Sequence, residues 1–177
     1  MKRVLLFLVL LMAVLKPTLS DAKSSRLTCL AEGIYHEARG ESEEGRIGVA
    51  SVIMNRTRSW NDTICNIVYQ RSSRGCQFSW ACQAHPIKEM QSYREAMNLA
   101  VDILAGNVPD NTVGAKYFHR CSDGVAVGHV DYGMVLTKVI GHTCFYVPLS
   151  DIIYSDNSNL IDQNGLLWYE RLRTQTG

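Results

Sequence analysis

The chain has 177 residues, 46% of them hydrophobic, which suits one domain with a substantial core. Its 18 lysines and arginines nearly balance 17 acidic residues, and no basic run occurs, so a nucleic-acid partner is not expected. The six cysteines are even in number, which favours disulfide bonds in an oxidising compartment over metal ligation.

The beginning of the chain has the layout of a secretory signal peptide. A basic start precedes an apolar run over residues 4–15, and cleavage is expected after one of the small residues Ser20 and Ala22. The run is short for a permanent transmembrane helix, so a secreted or periplasmic protein without stable membrane insertion is expected. An uncleaved N-terminal anchor is the alternative. The sequence therefore predicts a signal peptide over residues 1–22 and a single domain over residues 23–177.

Local spacing suggests part of the disulfide pattern. Cys76 and Cys82 are close enough to close a small loop, although sequence alone does not determine the connectivity of six cysteines. The pairings expected are Cys76–Cys82, Cys29–Cys65 and Cys121–Cys144.

A candidate acid lies at the end of the first predicted helix. Apolar residues recur at spacings of three and four, which predicts an amphipathic helix, at Leu27, Leu30, Ala31, Ile34 and Ala38. Glu37 shares this apolar stripe, and desolvation there would favour the protonated form that a general acid needs. Gly40 is expected to end the helix beside an open groove. The alternative is a buried Glu37 paired with Arg39 or Arg56.

Two further helices and a small sheet are predicted downstream. Ser42 is a predicted N-cap for a helix that ends near Arg58 and is apolar on nearly all sides, which indicates the buried centre of the domain. Residues 65–85 are predicted to be irregular, and a third helix is predicted over residues 86–104 with Pro86 in its first turn. Short β-branched and aromatic runs predict antiparallel strands at residues 115–119, 134–140 and 144–147.

Four stretches occur in the order and spacing of a known family. They are residues 31–41, residues 45–56 ending in Asn55-Arg56, Gln77-Phe78-Ser79, and residues 114–119 together with 140–146. On these motifs the chain resembles the SleB/CwlJ family of cell-wall hydrolases. The resemblance covers about residues 27–147 and leaves residues 148–177 as a C-terminal extension.

The resemblance implies both a fold and an activity. The fold would be α+β, a small lysozyme-like or resuscitation-promoting-factor-like domain with a helical core and a small antiparallel sheet. The activity would be that of a lytic transglycosylase, which cleaves the peptidoglycan glycan strand between N-acetylmuramic acid and N-acetylglucosamine. We expect a monomer that needs no cofactor or metal. By the same resemblance Glu37 would be catalytic with Glu41 as a second acid, and the substrate-binding residues would be Gln77, Phe78, Ser79, Tyr117 and His119.

Two features of the sequence bear on this mechanism. Glycoside hydrolysis usually needs two carboxylates, whereas in a transglycosylase Glu37 alone would protonate the bridging oxygen and then accept the proton of the sugar's 6-hydroxyl. Candidate second acids are Glu41, Asp123 and Asp131. The family pattern Gly-x-His-x-Phe reads GHTCF over residues 141–145, so His142 lies one position early, which in a strand would turn its side chain to the opposite face.

Two other functions compete with the glycosidase. A zinc amidase that cuts the muramoyl–peptide bond would need three protein ligands, and the histidines that could supply them are His36, His119, His129 and His142. No pair of these has a tight spacing such as His-x-x-x-His. The third possibility is a secreted wall-binding module without catalysis. Zinc chelation would separate the first two, because it should inactivate only an amidase.

Overall fold

The computed structural model describes residues 19–83, 85–122, 130–131 and 133–153. Its helices are α1 (Leu19–Ala38), α2 (Glu43–Ser59), α3 (Ile64–Val68), α4 (Met90–Ala105) and α5 (Leu149–Ile153), with a 3-10 helix at Ser79–Cys82. Its strands are β1 (Arg71–Ser72), β2 (Gly75–Cys76), β3 (Tyr117–Arg120), β4 (Val130–Asp131), β5 (Met134–Ile140) and β6 (Thr143–Pro148). The predicted α+β class is confirmed.

The predicted terminal segments lie largely beyond this description. Helix α1 begins at Leu19, eight residues before the first residue of the predicted apolar stripe, so it overlaps the end of the predicted signal peptide. Residues 1–18 of that peptide and residues 154–177 of the C-terminal extension lie outside the described residues. No helix in the described ranges is long and apolar enough to cross a membrane.

The helices form one layer with α1 at its centre, in contact with α2, α3 and α4. The predicted stripe of α1 is confirmed, since Leu30 and Ile34 are fully buried. Helix α2 begins after Ser42, whose Oγ accepts a hydrogen bond from the Gly45 N–H, as predicted. Helix α2 packs against α1 on one side and against the sheet on the other, which explains why apolar residues occur almost all the way round it.

The sheet is antiparallel, with strand order β3-β6-β5-β4. Phe145 in β6 is fully buried and packs with Val52 of α2, Ala115 and Ile140. Because side chains alternate along a strand, the neighbours Cys144 and Tyr146 belong to a separate cluster on the other face. The sheet is thus attached to the helices through the face that carries Phe145.

Two predictions about the middle of the chain are wrong. Residues 65–85 are not irregular, since they include most of α3, the β1–β2 hairpin and the 3-10 helix. Helix α4 begins at Met90 rather than at Pro86. The Tyr35 hydroxyl accepts hydrogen bonds from the backbone N–H groups of Lys88 and Glu89, each at 3.1 Å, and so holds the preceding segment outside the helix. This long-range contact has no signal in local sequence.

The structure confirms all three predicted disulfides, Cys29–Cys65, Cys76–Cys82 and Cys121–Cys144. The first joins α1 to α3, the second closes the loop around the 3-10 helix, and the third joins the end of β3 to β6. Bonds of this kind each contribute roughly 2–4 kcal/mol to stability. They reinforce a small domain at the elements that surround the candidate site.

Asn55 attaches the segment before β3 to helix α2. Its Nδ2 donates to Asp110 Oδ2 at 2.8 Å and to the Ala115 carbonyl at 3.0 Å. Burial raises the pKa of Asp110, but hydrogen bonds from Thr112, Asn55 and Gly114 outweigh that effect and hold the pKa below its usual value. An ionised Asp110 therefore anchors this segment and determines where β3 starts.

We expect Gly48→Ala to destabilise the protein, because a Cβ there would lie 2.5 Å from Cζ of the buried Phe145 ring. Overpacking of this kind costs about 1–3 kcal/mol, which thermal unfolding would detect as a lower Tm. Gly40→Ala is the control, since a Cβ there meets no atom within 4 Å. Equal Tm values for the two variants would contradict the close approach of α2 to the sheet.

Candidate active site

Glu37 lies half-buried in the last turn of α1. Burial raises the pKa of its carboxyl group, and the nearby Trp80 indole N–H and Arg56 guanidinium lower it by less. Arg39 does not pair with Glu37, because its Nε donates to Glu89 Oε1 at 3.0 Å. Arg56 acts on Glu37 without forming a salt bridge. The carboxyl is therefore partly desolvated and biased towards its protonated form.

Arg56 is the centre of the contacts around Glu37. It is 2% exposed, in the last turn of α2, and its Nε donates to the Lys116 carbonyl at 2.6 Å. Burial lowers its pKa to about 10, so it remains a cation at neutral pH. Its guanidinium carbon lies 5.2 Å from the ring centroid of Tyr117 and 5.6 Å from those of Trp60 and Phe78. These distances are typical of cation–π contacts.

Two buried N–H donors at this site have no hydrogen-bond partner among the described residues, Arg56 Nη1 and Trp80 Nε1. The Trp80 ring stacks against His36 at 4.3 Å and Phe78 at 6.2 Å between centroids, which fixes the orientation of its indole. Its N–H is near enough to Glu37 to lower the carboxyl pKa, yet does not meet the geometry of a hydrogen bond.

The predicted Gln77-Phe78-Ser79 segment divides into exposed and buried residues. Gln77 and Ser79 are exposed, and Gln77 lines a surface cavity of about 390 Å³ together with Trp60 and Arg74. Phe78 is only 4% exposed, so its ring offers no open face to a ligand, and the predicted substrate contact does not fit this burial. Its ring packs against Arg56 and Trp80 instead.

The two predicted substrate-binding residues of β3, Tyr117 and His119, also differ in burial. Tyr117 is half-buried with its ring against Arg56, which brings it into the group around Glu37. His119 is exposed and stacks on Tyr146 at 4.8 Å, and no described contact links it to Glu37. Its predicted role in substrate binding stays a prediction.

Glu41 follows α1 and is exposed. Its side chain lies between Gly45 at the start of α2 and Gly141 in the turn before β6, and it forms no hydrogen bond or ion pair with the described residues. The predicted second acid is thus absent from the contacts around Glu37. Of the other candidates, Asp123 and the side chain of Asp131 lie outside the described residues.

A second cavity, of about 320 Å³, lies against α1 one turn before Glu37. Its walls include Glu32, His36, Tyr69, Trp80 and His85. The Tyr69 hydroxyl donates a short hydrogen bond to the Glu32 carboxylate. Burial lowers the pKa of His36, so its imidazole is biased towards the neutral form. Trp80 therefore belongs both to this cavity and to the surroundings of Glu37.

The histidines that an amidase would use lie on different elements of the structure. His36 stacks on Trp80, His119 lies on β3, and His142 occupies the turn between β5 and β6 rather than a strand. His129 lies outside the described residues. Within the described ranges, no group of three or more histidine, cysteine, aspartate or glutamate side chains is placed to hold a metal ion.

The sequence did not indicate that Arg56 and Trp80 both lie beside Glu37. Arg56 appeared only as an alternative partner for Glu37 and as part of the Asn55-Arg56 motif. The sequence does carry a signal for the burial of Arg56, because this charged residue lies in the last turn of α2, a helix that is apolar on most sides. Trp80 lies inside the loop closed by Cys76 and Cys82, whose small size restricts its position.

Comparison with known proteins identifies the family. The sequence model of a family described as cell wall hydrolase matches residues 40–146, which is more than half of the chain. The chain belongs to this cell wall hydrolase family. This confirms the resemblance stated above, and the protein is therefore a hydrolase of the bacterial cell wall polymer, peptidoglycan. Its three disulfides and its family indicate a protein that works outside the cytoplasm.

This cell wall hydrolase is also similar to a solved structure. The crystal structure of the catalytic domain of the Bacillus cereus SleB protein is similar to it at 23% sequence identity, with a TM-score of 0.48. The similarity covers 70% of this chain and 91% of that one. No curated protein matches the chain significantly. The matched family range begins at Gly40, just after Glu37, so family membership alone assigns no role to Glu37.

We expect the ionisation of Glu37 to make the hydrolase less stable as the pH rises. The pKa of Glu37 is higher in the folded state than in the unfolded state. At pH values between these two pKa values the folded state binds more protons, so the free energy of unfolding falls as the pH rises. Glu37→Gln cannot ionise. It should therefore gain stability relative to the wild type as the pH rises above the ordinary pKa of a glutamate, about 4.3.

Urea unfolding at several pH values measures this effect. Glu43→Gln, which removes an exposed carboxylate at the start of α2, is the control for the loss of one negative charge. A stability difference between Glu37→Gln and wild type that does not change with pH would contradict the desolvation of Glu37.

Proposed function

We propose that this hydrolase cleaves the glycan strand of peptidoglycan between N-acetylmuramic acid and N-acetylglucosamine, with Glu37 as the proton donor. The observation that carries the proposal is the half-buried carboxyl at the end of α1, whose pKa is raised by desolvation. A general acid must hold a proton near the working pH, and partial burial is the usual way in which a glutamate achieves this.

The reaction proposed is that of a lytic transglycosylase. Glu37 donates its proton to the bridging oxygen as the bond to the muramic acid C1 breaks. The resulting carboxylate accepts the proton of the 6-hydroxyl of the same sugar, whose oxygen bonds to C1 and closes an anhydro ring. Glu37 ends protonated, so no water is consumed. Arg56 would stabilise the carboxylate between the two proton transfers.

The electrostatics of Glu37 favour a mechanism with one carboxylate. Among the described residues, those that change its pKa are Trp80 and Arg56, and no second carboxylate is among them. Glycosidases that use two carboxylates hold them roughly 5–10 Å apart. A hydrolytic muramidase would instead need Glu41 or an aspartate from outside the described ranges to approach the same sugar.

The substrate and location follow from the same proposal. The partner is the glycan strand, with Gln77, Ser79 and Tyr117 as contacts near the cleaved bond. We propose that residues 1–22 act as a signal peptide that exports the enzyme to the periplasm or the medium, where a protein with three disulfides is stable.

We expect Glu37→Gln to lower the rate of peptidoglycan clearing by about 10²–10⁴-fold, because the amide keeps the shape but cannot donate the proton. Glu41→Gln should cost much less, since its carboxyl is exposed and unpaired. Glu43→Gln is the matched control. Mass spectrometry of the wild-type products should detect muropeptides that end in anhydro-muramic acid, with stem peptides attached.

Three outcomes would contradict this proposal, namely clearing by Glu37→Gln at the wild-type rate, release of free stem peptides, or loss of clearing on zinc chelation. The last two would favour the amidase. Products with a reducing muramic acid end would keep Glu37 as the acid but replace the transglycosylase by a hydrolytic muramidase.

A further inference from the structure

We propose that the cavity between Trp60 and the β1–β2 hairpin binds a muramoyl unit that carries its stem peptide. The sugar ring would lie against Trp60, and a carboxylate of the peptide would pair with Arg74. The inference deepens the proposed function and rests on it, because it takes the peptidoglycan strand as the ligand. It adds a preference for strands whose stem peptides carry free carboxylates.

The hairpin forms a polar wall of this cavity. The Gln77 N–H donates to the Gln70 carbonyl at 2.9 Å, so these two residues lie opposite each other at the base of the hairpin. Because side chains alternate along a strand, Gln70 and Ser72 share a face with Gln77, and all three line the cavity. Arg71 lies between them on the other face, where its Nη2 donates to the Ala81 carbonyl.

The polar groups of this wall are open to a ligand. Gln70, Arg74 and Gln77 are exposed, and their side chains form no hydrogen bond or ion pair with the described residues. The two amides can donate to and accept from sugar hydroxyl groups. The cavity volume of about 390 Å³ lies within the range of about 300–1,000 Å³ that is usual for small-molecule sites. The cavity can therefore hold a sugar unit.

Trp60 provides an aromatic surface in the same cavity. Its side chain is 38% exposed, and the Arg56 guanidinium carbon lies 5.6 Å from its ring centroid. This contact fixes the ring, because Arg56 is itself buried and bonded to the Lys116 carbonyl. The C–H groups of a pyranose ring are apolar and pack against an aromatic face. Since Arg56 also acts on the Glu37 carboxyl, the cavity adjoins the group of residues around the proposed acid.

Arg74 gives the cavity a positive charge. It lies in the turn of the hairpin, where its backbone N–H donates to Ser72 Oγ at 3.1 Å. No aspartate or glutamate is among the described residues that line this cavity, whereas the cavity beside His36 includes Glu32 and neither lysine nor arginine. Stem peptides carry carboxylates, and N-acetylglucosamine is uncharged. A guanidinium without a counter-ion therefore favours the peptide-bearing unit of the strand.

Calorimetry with two forms of one ligand tests the role of Arg74. The ligand is a peptidoglycan tetrasaccharide with its stem peptides, whose carboxylates are either free or converted to methylamides. In a Glu37→Gln parent, we expect Arg74→Gln to weaken binding of the charged form about 2–5-fold, the effect of one exposed ion pair, and to leave the neutral form unchanged. Arg94→Gln, which removes an exposed arginine of α4 outside the cavity, is the matched control and should change neither affinity.

A second variant tests the contact with the sugar ring. Trp60→Phe keeps an aromatic ring beside Arg56 but offers less surface, so both forms of the ligand should bind about 2–5-fold more weakly. Equal effects of Arg74→Gln and Arg94→Gln would overturn the inference. Equal weakening of the two ligand forms by Arg74→Gln, no effect of Trp60→Phe, or no binding by the parent would also overturn it.

These outcomes are separate from the test of the acid. The role of Glu37 is decided by the clearing rate of Glu37→Gln and by the products of the wild type. If the parent still cleaved the ligand, the acid would be rejected, and the effect of Arg74→Gln would be measured in otherwise wild-type protein as a change in KM for the two ligand forms. A correct acid without selectivity for the charged ligand would retain the proposed function and reject the cavity.

Discussion

The burial of the Arg56 guanidinium is the constraint on which the rest of the site depends. A buried cation is expensive unless hydrogen bonds and neighbouring groups compensate for lost water. Here the Lys116 carbonyl and the rings of Trp60, Phe78 and Tyr117 provide that compensation. These groups come from different parts of the chain, namely the end of α2, the disulfide-closed loop and the beginning of the sheet. Satisfying one side chain therefore fixes the position of all three elements relative to Glu37.

The site keeps several features that oppose folding. Glu37 is partly desolvated, and two buried N–H donors lack acceptors among the described residues. Each of these features lowers the stability of the free protein. The domain offsets these costs nearby, through three disulfides and through the Asn55–Asp110 hydrogen bond that anchors the start of β3. The neighbouring residues Asn55 and Arg56 thus act on different parts of the site. Asn55 holds the backbone before β3, and Arg56 lies near the Glu37 carboxyl.

Sequence predicted the features that local patterns encode. The apolar stripe of α1, the Ser42 cap, the end of α4 near residue 104 and the loop closed by Cys76 and Cys82 follow from spacing or residue type, and so does the position of Glu37 on the stripe. The contacts that the sequence did not predict join residues that are far apart in the chain. Tyr35 delays the start of α4 by binding backbone more than fifty positions away, and Arg56 reaches a carbonyl 60 positions away. Phe78 was assigned to substrate because of its motif, but the motif does not reveal that its ring packs inward against Arg56.

Partial burial biases the Glu37 carboxyl towards its protonated form, with Arg56 and Trp80 beside it. Carbon-13 NMR of protein labelled at the glutamate carboxyl carbons measures this directly, because each carboxyl resonance reports its own titration. One resonance should titrate at a higher pH than the exposed glutamates and should be missing from Glu37→Gln. If instead the resonance that Glu37→Gln removes titrates in the ordinary glutamate range, then the carboxyl is solvated like any surface acid, and the account of this site is wrong.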